Sequence, residues 1–138
     1  DVVAVYSGVC KVNAAIAAQI LIDTFQVDGI INAGTAGGMD GRIELFDTIV
    51  SEQMMYHDVA EDILTDFHPW LKSNYFQADS KLLSAVQKYS GMVAYPILFG
   101  KMVTGNNLLR MKGEMKLIKN MPFFRLIWKQ QVLPMFVM

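Results

Sequence analysis

Thiol and imidazole are scarce in this chain. Among its 138 residues stand one cysteine, Cys10, and two histidines, His57 and His68. A lone cysteine excludes an internal disulfide and fits a reducing compartment. So few soft ligands leave no basis for a structural zinc site, and neither metal nor cofactor is expected. Charge is thin as well. Charged residues are 18% of the chain, below the usual quarter, and the formal net charge is −1. No basic excess exists to neutralise a phosphate backbone, so nucleic acid is not an expected partner. Long hydrophobic runs are missing too. The longest apolar helical stretch, near Val12 to Ile22, carries Asn13 and Gln19 and is too short to cross a bilayer, so no membrane partner is expected. The first residue, Asp1, leads straight into Val2-Val3-Ala4-Val5 with no basic leader, which predicts a chain that starts inside a domain.

What the chain does have is apolar surface. Hydrophobic residues make up 53% of it, which excludes disorder and leaves a surplus over ordinary domains. An oligomer interface or an absent part of the fold would account for that surplus.

Periodicity predicts a strand over Val2–Tyr6, a turn at Ser7–Cys10, a helix over Lys11–Phe25 and a second strand over Asp28–Ala33. Along the helix, Val12, Ala15, Ile16, Gln19, Ile20 and Asp23 fall on related faces. Strand, helix and strand make a βαβ unit with parallel strands. Further on, Asp40-Gly41-Arg42 reads as a turn and Leu45–Glu52 as a turn followed by a strand. Glu61–Asn74 reads as a surface loop with room for one helical turn. Asp79–Tyr89 is a helix capped by Asp79 or Ser80, with Leu82, Leu83 and Val86 on one face. Met92–Tyr95 and Ile97–Val103 read as strands broken by Pro96. Thr104–Asn107 is a second strand-end loop, and Leu108–Lys119 a helix. The expected class is α/β, a mixed, mainly parallel central sheet flanked by helices.

One stretch points to a ligand. The apolar run Gly29–Ala33 stops at Gly34-Thr35-Ala36-Gly37-Gly38. Glycine lets backbone approach a ligand closely and turn its N–H groups toward oxygen atoms. Ligands of open α/β sheets bind at the carboxyl ends of the strands, where this loop falls. The pattern is neither G-x-G-x-x-G nor a P-loop. A tight corner with no ligand is the competing reading.

Several motifs then line up in order. These are Ser7 to Ala15, Ile30 to Gly38, Asp47 to Ser51, Tyr56-His57-Asp58 and, more loosely, Thr104-Gly105-Asn106. Together they resemble the 5′-methylthioadenosine/S-adenosylhomocysteine nucleosidases of the purine nucleoside phosphorylase superfamily. The resemblance covers residues 1–122 as a partial domain and leaves 123–138 as a tail unlike the family. It implies a partial three-layer nucleoside phosphorylase-like sandwich and a cytoplasmic homodimer acting on a purine nucleoside. The reaction implied is cleavage of the N-glycosidic bond of an adenosine thioether to adenine and thioribose. A phosphate-dependent phosphorylase and a non-enzymatic remnant are the alternatives.

The resemblance places Thr35, Ala36 and Gly37 at the ribose and water site, Val9 beside the alkylthio group, and Leu108 and Leu109 over the adenine. Thr35 stands where serine is common, Leu108 where an aromatic is usual, Asn106 for an aspartate and Cys10 for a glycine. The family's catalytic carboxylates have no counterpart in the matching stretch, so no catalytic residue is assigned, and little activity is expected of this chain alone. Tyr56-His57-Asp58 is expected to form a structural hydrogen-bonded turn near the dimer interface rather than a catalytic site. His68, before Pro69-Trp70, is a loop residue, and Met111 and Met115 serve core or interface. No Asp or Glu follows Glu114. Within the tail, Leu126 to Met138 can be encoded so that another frame reads D-M-E-T-A-G-I-A-H-V-C-Y, a family-like string, with Phe123-Phe124 as the slippage point. On that reading it is a frameshift product not selected to pack.

Overall fold

The structure, a computed structural model, describes residues 1–60, 62–105, 126–127 and 134–137. The expected helix over Leu108–Lys119 lies outside them, as do Asn106, Leu108, Leu109, Met111 and Met115. The chain divides into two compact units, Asp1–Ala36 with Lys129–Met138, and Gly37–Trp128.

In the first unit, β1 (Val3–Tyr6) leads through a turn into α1 (Lys11–Phe25), and β2 (Ile30–Asn32) follows. α1 ends where Gln26 turns left-handed and its N–H reaches the Ile22 carbonyl at 3.1 Å, a cap made by backbone alone. The two strands run the same way, as the βαβ reading requires, but they are not neighbours. The backbone of Pro134–Val137, the last strand of the chain, lies between them and pairs antiparallel with both, with Ala4 opposite Phe136 and Ile31 opposite Phe136. Two strands that face one gap leave both rows of peptide groups open, and any extended segment can complete the ladder. Pro134–Val137 completes it through its backbone.

The six positions of α1 that the spacing groups together are all exposed. Ala17 and Leu21 are buried, and Leu21 sits among Val3, Val5, Ala14, Val27 and Ile30. Val12, Ile16 and Ile20 are each more than half exposed. α1 is apolar on nearly every side, so spacing alone could not select the inward stripe.

In the second unit, β3 (Gly37–Gly38) is a two-residue strand where only a loop was expected. β4 (Thr48–Tyr56) follows and runs four residues beyond the predicted end at Glu52. α2 (Ile63–Phe67) is the helical turn foreseen in the following loop, and β5 (Phe76–Gln77) is a short strand not foreseen. α3 (Ser80–Ser90) starts as predicted. Asp79 accepts hydrogen bonds from the Lys81 and Leu82 N–H groups at 2.9 Å, and Leu82, Leu83 and Val86 are half-buried. Met92–Tyr95 forms turns and bends rather than a strand, since the Pro96 ring breaks the run and Gly91 has already turned the chain.

β6 (Ile97–Thr104) pairs parallel with β4 along its whole length, and a shift in register at Ser51/Gln53 leaves Glu52 bulged. The Glu52 carbonyl accepts instead from Ala78 at 3.0 Å. The last two strands are β7 (Leu126–Ile127) and β8 (Pro134–Val137). The sheet order in this unit is β3-β7-β6-β4-β5. Met55 and Val103, facing partners on β4 and β6, are its buried hydrophobic residues among those described, with Met39 and Tyr75 packed on them.

Candidate functional site

In the first unit the two strand ends that matter share one edge. β1 and β2 are each antiparallel to β8, so both run toward the same side. There β1 passes into Ser7-Gly8-Val9-Cys10, and β2 into Ala33-Gly34-Thr35-Ala36. Thr35 is exposed, whereas Val9 and Ala36 are half-buried. Thr35 stands among small residues at this strand end. Gly37, the remaining described member of the set, is half-buried in β3 of the second unit.

The turn before α1 is held from the helix. Asn13 Nδ2 donates to the Val9 carbonyl at 2.6 Å, which fixes Val9 one turn below. Gly8 sits at φ 76°, a conformation an L side chain resists. Cys10 adopts φ 89° and ψ 149°, a region that belongs to glycine. Cys10 makes no side-chain cap to the helix, and its carbonyl accepts the first helical bond, from Ala14 at 3.1 Å.

In the second unit the parallel strands β4 and β6 also end together, with Tyr56 opposite Thr104. One residue further, His57 N–H donates to the Thr104 carbonyl at 2.9 Å. His57 is therefore tied into the sheet end, in line with the structural turn expected of Tyr56-His57-Asp58. Sequence reasoning missed the contact between its imidazole and Gly105. A glycine directly after a strand, opposite a histidine directly after the neighbouring strand, was the available signal. Tyr56 stacks edge-on against Phe76 with ring centroids 5.7 Å apart. His68, as expected, is a loop residue. Its Nδ1 lies 3.2 Å from the Leu64 carbonyl, and its ring meets Trp70 edge-on.

Among the described residues the strongly shifted carboxyl belongs to Asp40, held down to about 2 by hydrogen bonds from the Arg42 side chain and backbone. It closes the predicted turn rather than facing a ligand. Among the described residues no group of three His, Cys, Asp or Glu is placed to hold a metal ion, and no helix is long and apolar enough to cross a membrane.

Residues 1–122 match the family model of the phosphorylase superfamily. The chain is 31% identical over 122 residues to the 5′-methylthioadenosine/S-adenosylhomocysteine nucleosidase of Oceanobacillus iheyensis, which covers 86% of this chain and 53% of that protein. It is 54% identical over 59 residues to the protein of that name from Colwellia psychrerythraea, across 43% of this chain and 24% of the relative. The chain therefore spans about half the length, or less, of these curated relatives. Among solved structures, the Colwellia psychrerythraea nucleosidase in complex with adenine superposes with a TM-score of 0.72 at 32% identity, over 88% of this chain and 52% of that one. The Neisseria meningitidis nucleosidase in complex with methylthio-immucillin-A gives a TM-score of 0.72 at 27% identity, over 88% and 55%.

Proposed function

The chain belongs to the phosphorylase superfamily and carries part of the nucleoside phosphorylase fold, and from that premise we propose that it is a nucleosidase of adenosine thioethers. The reaction is hydrolysis of the N-glycosidic bond of 5′-methylthioadenosine or S-adenosylhomocysteine, giving adenine and a thioribose. The observation that carries this reading is the exposed Thr35 hydroxyl in a bare corner at the carboxyl end of β2.

The chemistry assigns roles to that corner. A ribosyl group losing its base passes through an oxocarbenium-like state and needs close, oriented polar contacts. Small residues at Gly34, Ala36 and Gly37 leave room for the sugar, and Thr35 offers one group that both donates and accepts. Val9, held by Asn13, supplies an apolar wall for the alkylthio group. The resemblance assigns Leu108 and Leu109, outside the described residues, to the adenine. The acid at the purine and the carboxylate that activates water are not assigned to any of the 138 residues. Each such group is worth on the order of 10²–10⁴-fold, so turnover by this polypeptide alone is slow.

The test is adenine release from methylthioadenosine by the purified chain, with and without inorganic phosphate. Slow release independent of phosphate supports the reading. Product that requires phosphate reassigns the chain as a phosphorylase. The second reading is a nucleoside binder with no catalysis. Calorimetry with adenine separates it, since binding without turnover is its signature. We further propose a cytoplasmic homodimer, supported by the free thiol of Cys10 and by Val12, Ile16 and Ile20 exposed along α1. Light scattering on the purified chain reads the second claim.

A further inference from the structure

The backbone of Pro134–Val137 decides how far apart the two strand ends of the first unit stand. β1 and β2 run the same way, and each pairs antiparallel with β8 from its own side, Ala4 and Ile31 both opposite Phe136. At the carboxyl end of the two strands, Tyr6 lies opposite Pro134 and Asn32 opposite Met135. β8 therefore begins between the last residues of β1 and β2, at the edge where Ser7–Cys10 and Ala33–Ala36 leave the sheet. Pro134 suits that place, because the first residue of a strand can spare its N–H. Neighbouring strands stand about 4.8 Å apart, so β8 holds Tyr6 and Asn32 roughly 10 Å from each other. Without an inserted strand, the βαβ arrangement closes with β1 directly against β2, and the spacing falls to about 4.8 Å.

That spacing bears on the corner described above. On the nucleoside reading, on which this inference rests, Val9 after β1 walls the alkylthio group and Thr35 after β2 meets the ribose. Strand ends in direct contact leave no room for a sugar between the segments that follow them, whereas strand ends one strand apart do. We propose that β1 and β2 form a slot for one extended antiparallel strand, and that its occupant, Pro134–Val137, is the spacer that opens the nucleoside corner between Val9 and Thr35. The role belongs to the backbone of β8. Main-chain ladder bonds supply the affinity of an added strand. A free peptide of the same residues is therefore a competent occupant.

Amide hydrogen exchange on the parent chain reads the slot directly. Successive N–H groups of a strand point to opposite sides, so a strand paired on both sides protects them all. Met135, Phe136 and Val137 are expected to exchange slowly together. Fast exchange at alternate positions, the mark of an edge strand, or at all of them overturns the slot. The spacer is read by adenine calorimetry below the melting temperature of each variant. Phe136→Pro takes one N–H out of the ladder, and Phe136→Val keeps it. Phe136→Val is expected to stay within about threefold of the parent, and Phe136→Pro to bind adenine at least about tenfold more weakly. A peptide of residues 133–138 added to Phe136→Pro recovers most of that loss, and the same peptide with proline in place of Phe136 recovers none. A strand that merely stabilises its unit would lower the melting temperature of Phe136→Pro and leave its adenine affinity equal to that of Phe136→Val; that result overturns the spacer. Failure of the peptide to rescue overturns it as well. A parent chain that binds no adenine sinks the nucleoside reading and the spacer with it. Amide protection needs neither adenine nor a variant, so it decides the slot even then, and even where Phe136→Pro does not fold.

Discussion

Asp40 takes three hydrogen bonds from Arg42. Its Oδ1 accepts from the Arg42 backbone N–H and from Nε, both at 2.9 Å, and its Oδ2 accepts from Nη2 at 2.8 Å. The backbone bond makes the Asx turn that Asp-Gly-Arg predicts, and the guanidinium fork locks the carboxylate onto it. These bonds hold the Asp40 carboxyl at about 2 instead of the ordinary 3.8. A carboxyl lowered on folding stabilises the protein above its unfolded pKa, and that contribution fades as pH falls through the folded value. Denaturation followed from pH 5 down to about 2 is therefore expected to show a loss that Asp40→Asn lacks. The site is exposed, so the difference is small and shrinks further in high salt.

Two positions on one helix separate the buried face of α1 from the open one. Leu21 is 1% exposed and Ile20 is 52% exposed. Leu21→Ala should cost roughly 2–5 kcal/mol, the range for emptying a closed core site. Ile20→Ala should change stability by no more than about 0.5 kcal/mol in either direction. Urea titration of both variants decides the matter. Equal effects would mean that the stripe Val12, Ile16 and Ile20 is covered in solution.

Cys10 stands in a backbone conformation that favours glycine, with φ 89°. Strain of that kind is worth on the order of 1–3 kcal/mol, against about 0.5–1 kcal/mol of extra chain entropy lost by glycine. Cys10→Gly is expected to raise the melting temperature by a few degrees, and Cys10→Val to lower it, because a β-branched residue fits that region worst. A melting temperature lowered by Cys10→Gly would refute the strain.

Gly38 faces a branched side chain at close range. A Cβ there would lie 2.8 Å from Ile43 Cγ2 and 3.2 Å from Ile43 Cβ. The Ile43 branch point is fixed to its backbone and cannot swing aside. Gly38→Ala should destabilise by about 1–3 kcal/mol, and Ile43→Ala in the same chain should return most of it. Chemical denaturation of the single and double variants checks this expectation.

Much of the local structure was legible in the chain because its causes are local. The bounds of α1 follow from a run of alanine and long apolar residues that stops before Gln26 and Val27. The start of α3 follows from Asp79, whose carboxylate reaches the next two free N–H groups without help from elsewhere. The bare corner at Thr35 is equally local, since glycine and alanine put no bulk there wherever the strand lies. The roles of Leu108 and Leu109 came from the resemblance and not from any such local cause.

Other features have partners far away along the sequence, and residue patterns carry no address. That α1 turns Leu21 inward rather than Ile16 was settled by what lies opposite, Val3, Val5 and Ile30. That β1 and β2 are separated was settled by Phe136, which pairs with Ala4 and with Ile31. That His57 meets Gly105 needed two strands of different segments brought into register, Tyr56 beside Thr104. Capping, turns and helix length are short-range chemistry, written in neighbouring residues and readable from them. Which face is buried, which strand fills a gap and which glycine a ring leans on depend on segments meeting in space, and only the folded chain makes those choices.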